Sequence, residues 1–353
     1  MFATPDWRAR FTACVMAICA LFSAVSAAET TKAEPASRVV MTEAVGAVVD
    51  FKPVAATVRA MVDRGVKQLA RTNQLGAAWR ALLTTNAVYA TNELIGIKVA
   101  AAAREGGGAR VETAAALIES LLAAGLAPRQ IVVWDRFAAD LEHAGFKALE
   151  TRYKVRVAGA AEAGYEATAF YDSPFLGEPA PTDLEFGKKG EGVGRRSHIT
   201  KLLTREITRI IHVAPMNVRR RSGVSGHLVG LSLDTLDNTR RFERDQNWFE
   251  QAAVEILAMP AFDNRVALCV TDALVCQYQG EQETLLHYSA ALGQLWFSRD
   301  PVALDTLAVA ELERLRALAK MPPMEPRMVL YENAALMRHG VTDLKKILVE
   351  RAP

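Results

Sequence analysis

The chain has 353 residues, 50% of them hydrophobic and 23% charged, with a formal net charge of +2. This is the composition of a globular protein with a sizeable core, built as one large α/β domain or two smaller ones. So weak a charge balance argues against a nucleic-acid-binding role driven by phosphate neutralisation.

At the N-terminus, Arg8 and Arg10 precede an uncharged run over residues 11–25, and small residues follow at Ser23, Ala24, Ser26, Ala27 and Ala28. A cationic stretch, a short apolar core and a small-x-small site read as a signal peptide over 1–28, cleaved after Ala27 or Ala28. An uncleaved anchor is the alternative, but the run is short of the roughly 20 residues that a span needs. The arginines are not paired, which favours the general secretory route and a periplasmic or extracellular destination. No later stretch is apolar enough to span a bilayer, so the mature chain is expected without a membrane span.

Residues 29–50 are expected as a flexible tail, and 51–353 as a single α/β domain. Val54, Val58, Met61, Val62, Val66 and Leu69 recur at helical spacing, and a second helix is expected at 77–83. Residues 94–99 form an apolar, β-branched run, hence a strand. Gly106, Gly107 and Gly108 mark a loop, and 111–124 an amphipathic helix with Ala114, Leu117, Leu121 and Leu122 on its core face. Gly125 and Pro128 end that helix. A strand at 131–134 closes on Asp135, and a helix over 137–143 stops at Gly145. Strand, helix, strand, helix at this spacing is a βαβ unit. The expected class is α/β, a mainly parallel sheet with helices on both faces. Residues 172–196 hold Pro174, Pro179 and Pro181 with several glycines and are expected as a long irregular loop. Strands at 207–213 and 266–270, helices at 248–257 and 302–318, and a short C-terminal element at 345–349 complete the pattern.

Several residues stand where chemistry is placed in such folds. Asp135 and Arg136 end a parallel strand, on the edge where open α/β sheets bind ligands; a cap on the next helix competes with that reading. Asp272 follows the 266–270 strand at the same edge. Arg219, Arg220 and Arg221 precede Ser222, Gly223, Val224, Ser225, Gly226 and His227. Forked guanidinium donors and a glycine-rich backbone suit an anion, and a solvated basic loop is the alternative. Asp300 before Pro301 reads as a helix cap, and Asp305 sits five residues on in an apolar helix. If Asp135, Asp272 and Asp305 converge, they are the candidates for a divalent metal or an acid–base pair. The six histidines are scattered without metal-site spacing, and His227 stands out by its Ser-Gly setting. No Walker loop, nucleophile elbow or complete dinucleotide fingerprint is present. Cys14 and Cys19 lie in the expected leader. Cys269 and Cys276 remain, able to pair but expected as buried free thiols, and too few for an all-cysteine iron–sulfur cluster.

Gly96-Ile97-Lys98-Val99, the helix opening near Thr113, Ile131-Val132-Val133-Trp134-Asp135-Arg136, Gly223-Val224-Ser225-Gly226, Asp272 and Asp300-Pro301-Val302-Ala303-Leu304-Asp305 together resemble the domain-of-unknown-function 362 family, especially its exported branch. The likeness covers nearly all of the mature chain. It adds Lys98 and Thr113 to the candidates. Relatives typically carry asparagine at Ala100, Lys-x-His where Asn217 and Arg219 stand, and Lys-Asn in place of Val229-Gly230. The resemblance therefore implies a scaffold and no particular reaction. Two functions are expected from these observations. One is a periplasmic enzyme or binding protein for a small anionic compound, with Lys98, Arg136 and the three arginines in one cleft with the aspartates. That reading requires Lys98 and Asp272 on one face of the sheet. The other is a non-catalytic member that binds a protein partner.

Overall fold

Short aliphatic and β-branched runs, each followed by a helix or a tight turn, assemble into one sheet. The computed structural model describes residues 36–84, 93–101, 107–172, 196–242, 245–280, 285–324 and 328–352. The expected leader, and 173–195 of the expected loop, lie outside the described residues. The strands in chain order are β1 (Ser37–Glu43), β2 (Val48–Val49), β3 (Lys52–Pro53), β4 (Ile95–Val99), β5 (Ile131–Asp135), β6 (Arg156–Gly159), β7 (Tyr165–Asp172), β8 (Arg196–Thr200), β9 (Arg209–Arg219), β10 (Gly223–Val224), β11 (Val266–Gln277), β12 (Ser289–Ser298) and β13 (Ile347–Arg351). The α-helices are α1 (Ala55–Leu69), α2 (Leu75–Leu83), α3 (Val111–Ala123), α4 (Ala138–His143), α5 (Ala148–Tyr153), α6 (Ala160–Ala163), α7 (His227–Ser232), α8 (Gln246–Leu257), α9 (Pro301–Leu318) and α10 (Met328–Leu336).

The main sheet runs β13-β1-β12-β11-β9-β4-β5-β6, with β10 folded back on β9. Its heart is parallel: β11, β9, β4, β5 and β6 all run the same way. β12 alone on this path is antiparallel to its neighbours, pairing with β11 on one side and β1 on the other. Two apolar layers cover the sheet. One face carries α1 to α5, with Met61, Trp79, Leu117 and Phe146 packed on Ile97, Val133 and Val213. The other carries α7 to α10, with Leu228, Phe249, Val302 and Leu330 packed on Val132, Ile210 and Cys269. The α/β class with helices on both faces is therefore what the chain adopts. Among the described residues no helix is long and apolar enough to cross a membrane.

Three expectations are corrected. Residues 37–43, expected within a flexible tail, form β1 inside the sheet, because Val39 and Val40 each bury completely against a different layer. The 207–213 and 266–270 strands extend to Arg219 and Gln277. Their later residues include Asn217, Asp272 and Gln277, polar side chains that other parts of the fold satisfy. β12, and the β7–β8 hairpin whose ends are Asp172 and Arg196, were not expected.

Candidate functional site

Register settles which candidates meet. Lys98 on β4 stands opposite Trp134 on β5 and His212 on β9. His212 stands opposite Cys269 on β11, so these four residues form one row whose side chains share a face. Side chains alternate along a strand. Asp272, three residues beyond Cys269, therefore points to the other face. The contacts agree. Lys98 Nζ lies 5.5 Å from the Trp134 ring centre, whereas Asp272 bonds to α3 across the sheet. The single cleft expected to hold both does not form.

On its own face, Lys98 is fully buried, and its ammonium donates to Asp135 Oδ1 and to the Val99 carbonyl. Asp135 Oδ2 accepts from the Ala101 amide at 2.7 Å. Burial lifts the Asp135 carboxyl above its ordinary range, and Lys98 pulls it back. Asp135 does not cap α4, whose N-terminal residue Phe137 has no side-chain cap. Arg136 turns away to the α7–α8 connection, donating to the Asp237 carbonyl at 2.5 Å and to Thr239 Oγ1 at 3.1 Å.

Asp272 accepts hydrogen bonds at the start of α3. Its Oδ2 accepts from the Arg110 amide at 2.9 Å and from Thr113 Oγ1 at 2.8 Å, and its Oδ1 from the Leu274 amide at 3.2 Å. Thr113 is thus its partner rather than a ligand contact. Asp305 does the same for α7. Its two oxygens accept from the amides of His227 at 2.7 Å and Leu228 at 2.9 Å. The approach needs Gly226, because a Cβ there would collide with the carboxylate. Burial raises the Asp305 carboxyl to about 7 despite its amide donors. Asp300 caps its own helix, accepting from the Ala303 amide at 2.8 Å and from Val341 at 3.0 Å. The first amides of a helix have no acceptor within it, and that position explains all three carboxylates. Among the described residues no group of three or more His, Cys, Asp or Glu side chains is placed to hold a metal. Asp135, Asp272 and Asp305 occupy three separate places.

His227 is placed more deeply than its Ser-Gly setting suggested. Its Nδ1 lies 2.9 Å from His212 Nδ1, and its Nε2 lies 3.0 Å from Thr271 Oγ1. One Nδ1 must donate and the other accept. If His212 donates, His227 can donate onward to Thr271, and only the acceptor His212 Nε2 is left without a partner. The reverse leaves a buried N–H orphaned, which is costlier. Gly230 allows the fit, since a Cβ there would lie 2.6 Å from His212 Nε2. Burial pushes His212 well below its ordinary range and His227 down to about 3, so both rings are neutral. His212 and Thr271 were missed in the sequence. The available signal was a histidine inside the apolar run Ile210-Ile211-His212-Val213.

Arg219 ends β9 seven residues beyond His212, about 23 Å along the strand, so the arginine cluster does not join Lys98. Its hairpin packs on α8 and α10. Gln246 donates to the Arg221 carbonyl at 2.7 Å and Tyr331 to the Ser222 carbonyl at 2.5 Å. The half-buried Ser225 donates its amide to the Asn217 carbonyl at 2.7 Å. Cys269 and Cys276 are both buried free thiols, about 23 Å apart by strand rise, far beyond disulfide reach.

Open clefts lie elsewhere. One of 520 Å3 includes Ser37, Arg38, Ser298, Arg299, Asp300 and Arg338 in its lining. Ser37 begins β1 and Ser298 ends the antiparallel β12, so this cleft is at the amino edge of the parallel strands. A second, of 370 Å3, lies at the C-terminal end of α1 and includes Arg64, Lys67 and Arg71.

No family model matches the chain, and no curated protein does. Among solved structures it is similar to the crystal structure of a Thermotoga maritima protein determined as a structural genomics target. The two are 12% identical with a TM-score of 0.38, over 76% of this chain. The chain spans 60% of that protein's length.

Proposed function

We propose that the chain is an exported protein of the domain-of-unknown-function 362 kind that binds a small anionic molecule, its carboxyl-edge polar groups serving the fold rather than catalysis. The observation that carries the reading is the lining of the two open clefts. Among the described residues six arginines or lysines line them, against one carboxylate residue, Asp300. Guanidinium groups suit carboxylate and phosphate by their paired donors. Acid–base work at the carboxyl edge is disfavoured because Lys98 and Asp272 are separated by the sheet and each is already held by internal partners. The test is a melting series on the mature chain with phosphate, sulfate and citrate, each at constant ionic strength against chloride. A ligand that binds only the folded state raises the melting temperature with its concentration. The reading expects such a rise with at least one multivalent anion. No rise beyond chloride with any of them contradicts it.

One observation favours the partner-binding alternative. Val329 and Leu336, seven residues apart on α10, are 50% and 81% exposed, and Met337 beside them is 46% exposed. An apolar stripe of this kind is a feature of surfaces that meet other proteins.

A further inference from the structure

The smaller cleft has a more specific chemistry than its size suggests. Lys67 and Gln68 lie three and four residues after Arg64, and Arg71 lies four and three residues after them, on one face of α1 and its closing turn. Thr72, Asn73 and Ala352 also line it, and among the described residues no carboxylate does. Cations at the end of a helix are ordinarily explained by its exposed carbonyls. Here those carbonyls are already occupied. Arg38 donates to the Gln68 carbonyl at 2.9 Å and to Leu69 at 2.7 Å. The Ala70 and Thr72 amides take the Val66 and Lys67 carbonyls, each at 3.0 Å.

The nearby carboxylate is occupied as well. Glu350 accepts from Arg38 through both oxygens, at 2.7 and 2.6 Å, and from Gln68 at 3.1 Å. Those bonds, with Arg71 adding its charge, hold its carboxyl down at about 2. Arg64 donates through Nη2 to the Glu43 carbonyl at 3.1 Å, but its Nε is buried without an acceptor. Among the described residues Lys67 and Arg71 make no side-chain hydrogen bond. Three cations thus converge with donors left over after the helix end and the neighbouring carboxylate are satisfied.

Resting on the anion-binding reading above, we infer that this cleft is its site and that the ligand presents a dianionic phosphate group, held by Lys67 and Arg71 with the Arg64 guanidinium adding its charge. Three positive charges match a dianion better than a single carboxylate, and the forked arginine donors fit adjacent phosphate oxygens. The volume of 370 Å3 exceeds what inorganic phosphate fills, so the cleft accommodates either the free ion or the phosphate end of a small organic molecule.

Calorimetric titration of the mature chain with inorganic phosphate and with glycerol 3-phosphate, at fixed ionic strength, distinguishes these sources. Binding of either probe, weakened about tenfold or more by both Lys67→Gln and Arg71→Gln, is the expected result. Each variant's melting temperature without ligand confirms that it folds, and Lys345→Gln, on the opposite side of β13 in sequence, should bind as the parent does. If only glycerol 3-phosphate binds and the variants weaken it, the ligand is an organic phosphate. If phosphate binds equally well to both variants, the site is wrong while anion binding stands. If neither probe binds but citrate does, the phosphate assignment alone is overturned. If no anion binds at all, the function reading falls with it.

Discussion

At the scale of single residues, the buried histidines and Asp305 set how stability responds to acid, and in opposite senses. Burial holds His227 at about 3, against an ordinary value of 6.5, and His212 lies well below that value too. Both are neutral when folded and take up protons when unfolded. Their contribution is full above about pH 6.5 and is lost as pH falls below it, at about 1.4 kcal/mol per pH unit for each imidazole. Asp305 is raised to about 7 from 3.8. The folded chain binds its proton more tightly, so this group adds stability as pH falls from about 7 to about 4. Relative to the parent, Asp305→Asn should steepen the loss of stability with falling pH by about 1.4 kcal/mol per unit, and His227→Gln should flatten it by a similar amount. Urea denaturation at pH 4.5, 5.5 and 6.5 measures the slopes, and an Asp305→Asn slope equal to the parent's would contradict the assignment. These partnerships were not legible in the sequence. Asp305 could be singled out as a carboxylate in an apolar helix, but the amides it accepts from come from a helix 78 residues earlier.

At the scale of elements, charge is arranged by helix ends. Asp272, Asp305 and Asp300 stand at the N-termini of α3, α7 and α9, and Asp245 caps α8. At the other ends, Arg299 donates to the Leu82 carbonyl at 3.0 Å and Arg209 to Leu83 at 2.6 Å, the last residues of α2. Arg71, Lys154, Lys320 and Arg338 all close helices in the left-handed conformation, with φ of 54, 59, 55 and 64°. Glycine adopts that conformation without the Cβ clash. Lys320→Gly is therefore expected to raise stability by about 0.5–1 kcal/mol, less the extra entropy that glycine gives the unfolded chain. Chemical denaturation checks this, and a loss of stability would mean that the lysine side chain contributes more than its strain costs. The βαβ unit from β4 to α4 was legible because each strand there is a pure apolar run and each helix has a clean period. β12 was not, because Ser289-Ala290-Ala291-Leu292-Gly293-Gln294 lacks β-branched residues and its first half is only partly buried. β1 was hidden by Arg38, a charged residue whose guanidinium leaves the strand to close α1.

At the scale of the whole molecule, the sheet separates residues that the sequence brings to one edge. The strand ends read from sequence put Lys98 and Asp135 at the ends of β4 and β5, whereas Asp272, read as following its strand, lies within β11. Which face each occupies depends on the register between β4, β9 and β11, which a single sequence does not specify. A cation-lined cleft lies beside α1, where basic residues recur at helical spacing in a segment read only for its apolar face.

The central claim is that the carboxyl-edge aspartates hold the fold together and bind no ligand. Equilibrium urea denaturation of Asp272→Ala against the parent tests it most directly. The variant leaves the Arg110 amide, the Thr113 hydroxyl and the Leu274 amide without their acceptor. The account predicts a loss of about 3 kcal/mol or more. A variant as stable as the parent, or more stable, would contradict it, since carboxylates kept for ligands commonly cost the folded state stability.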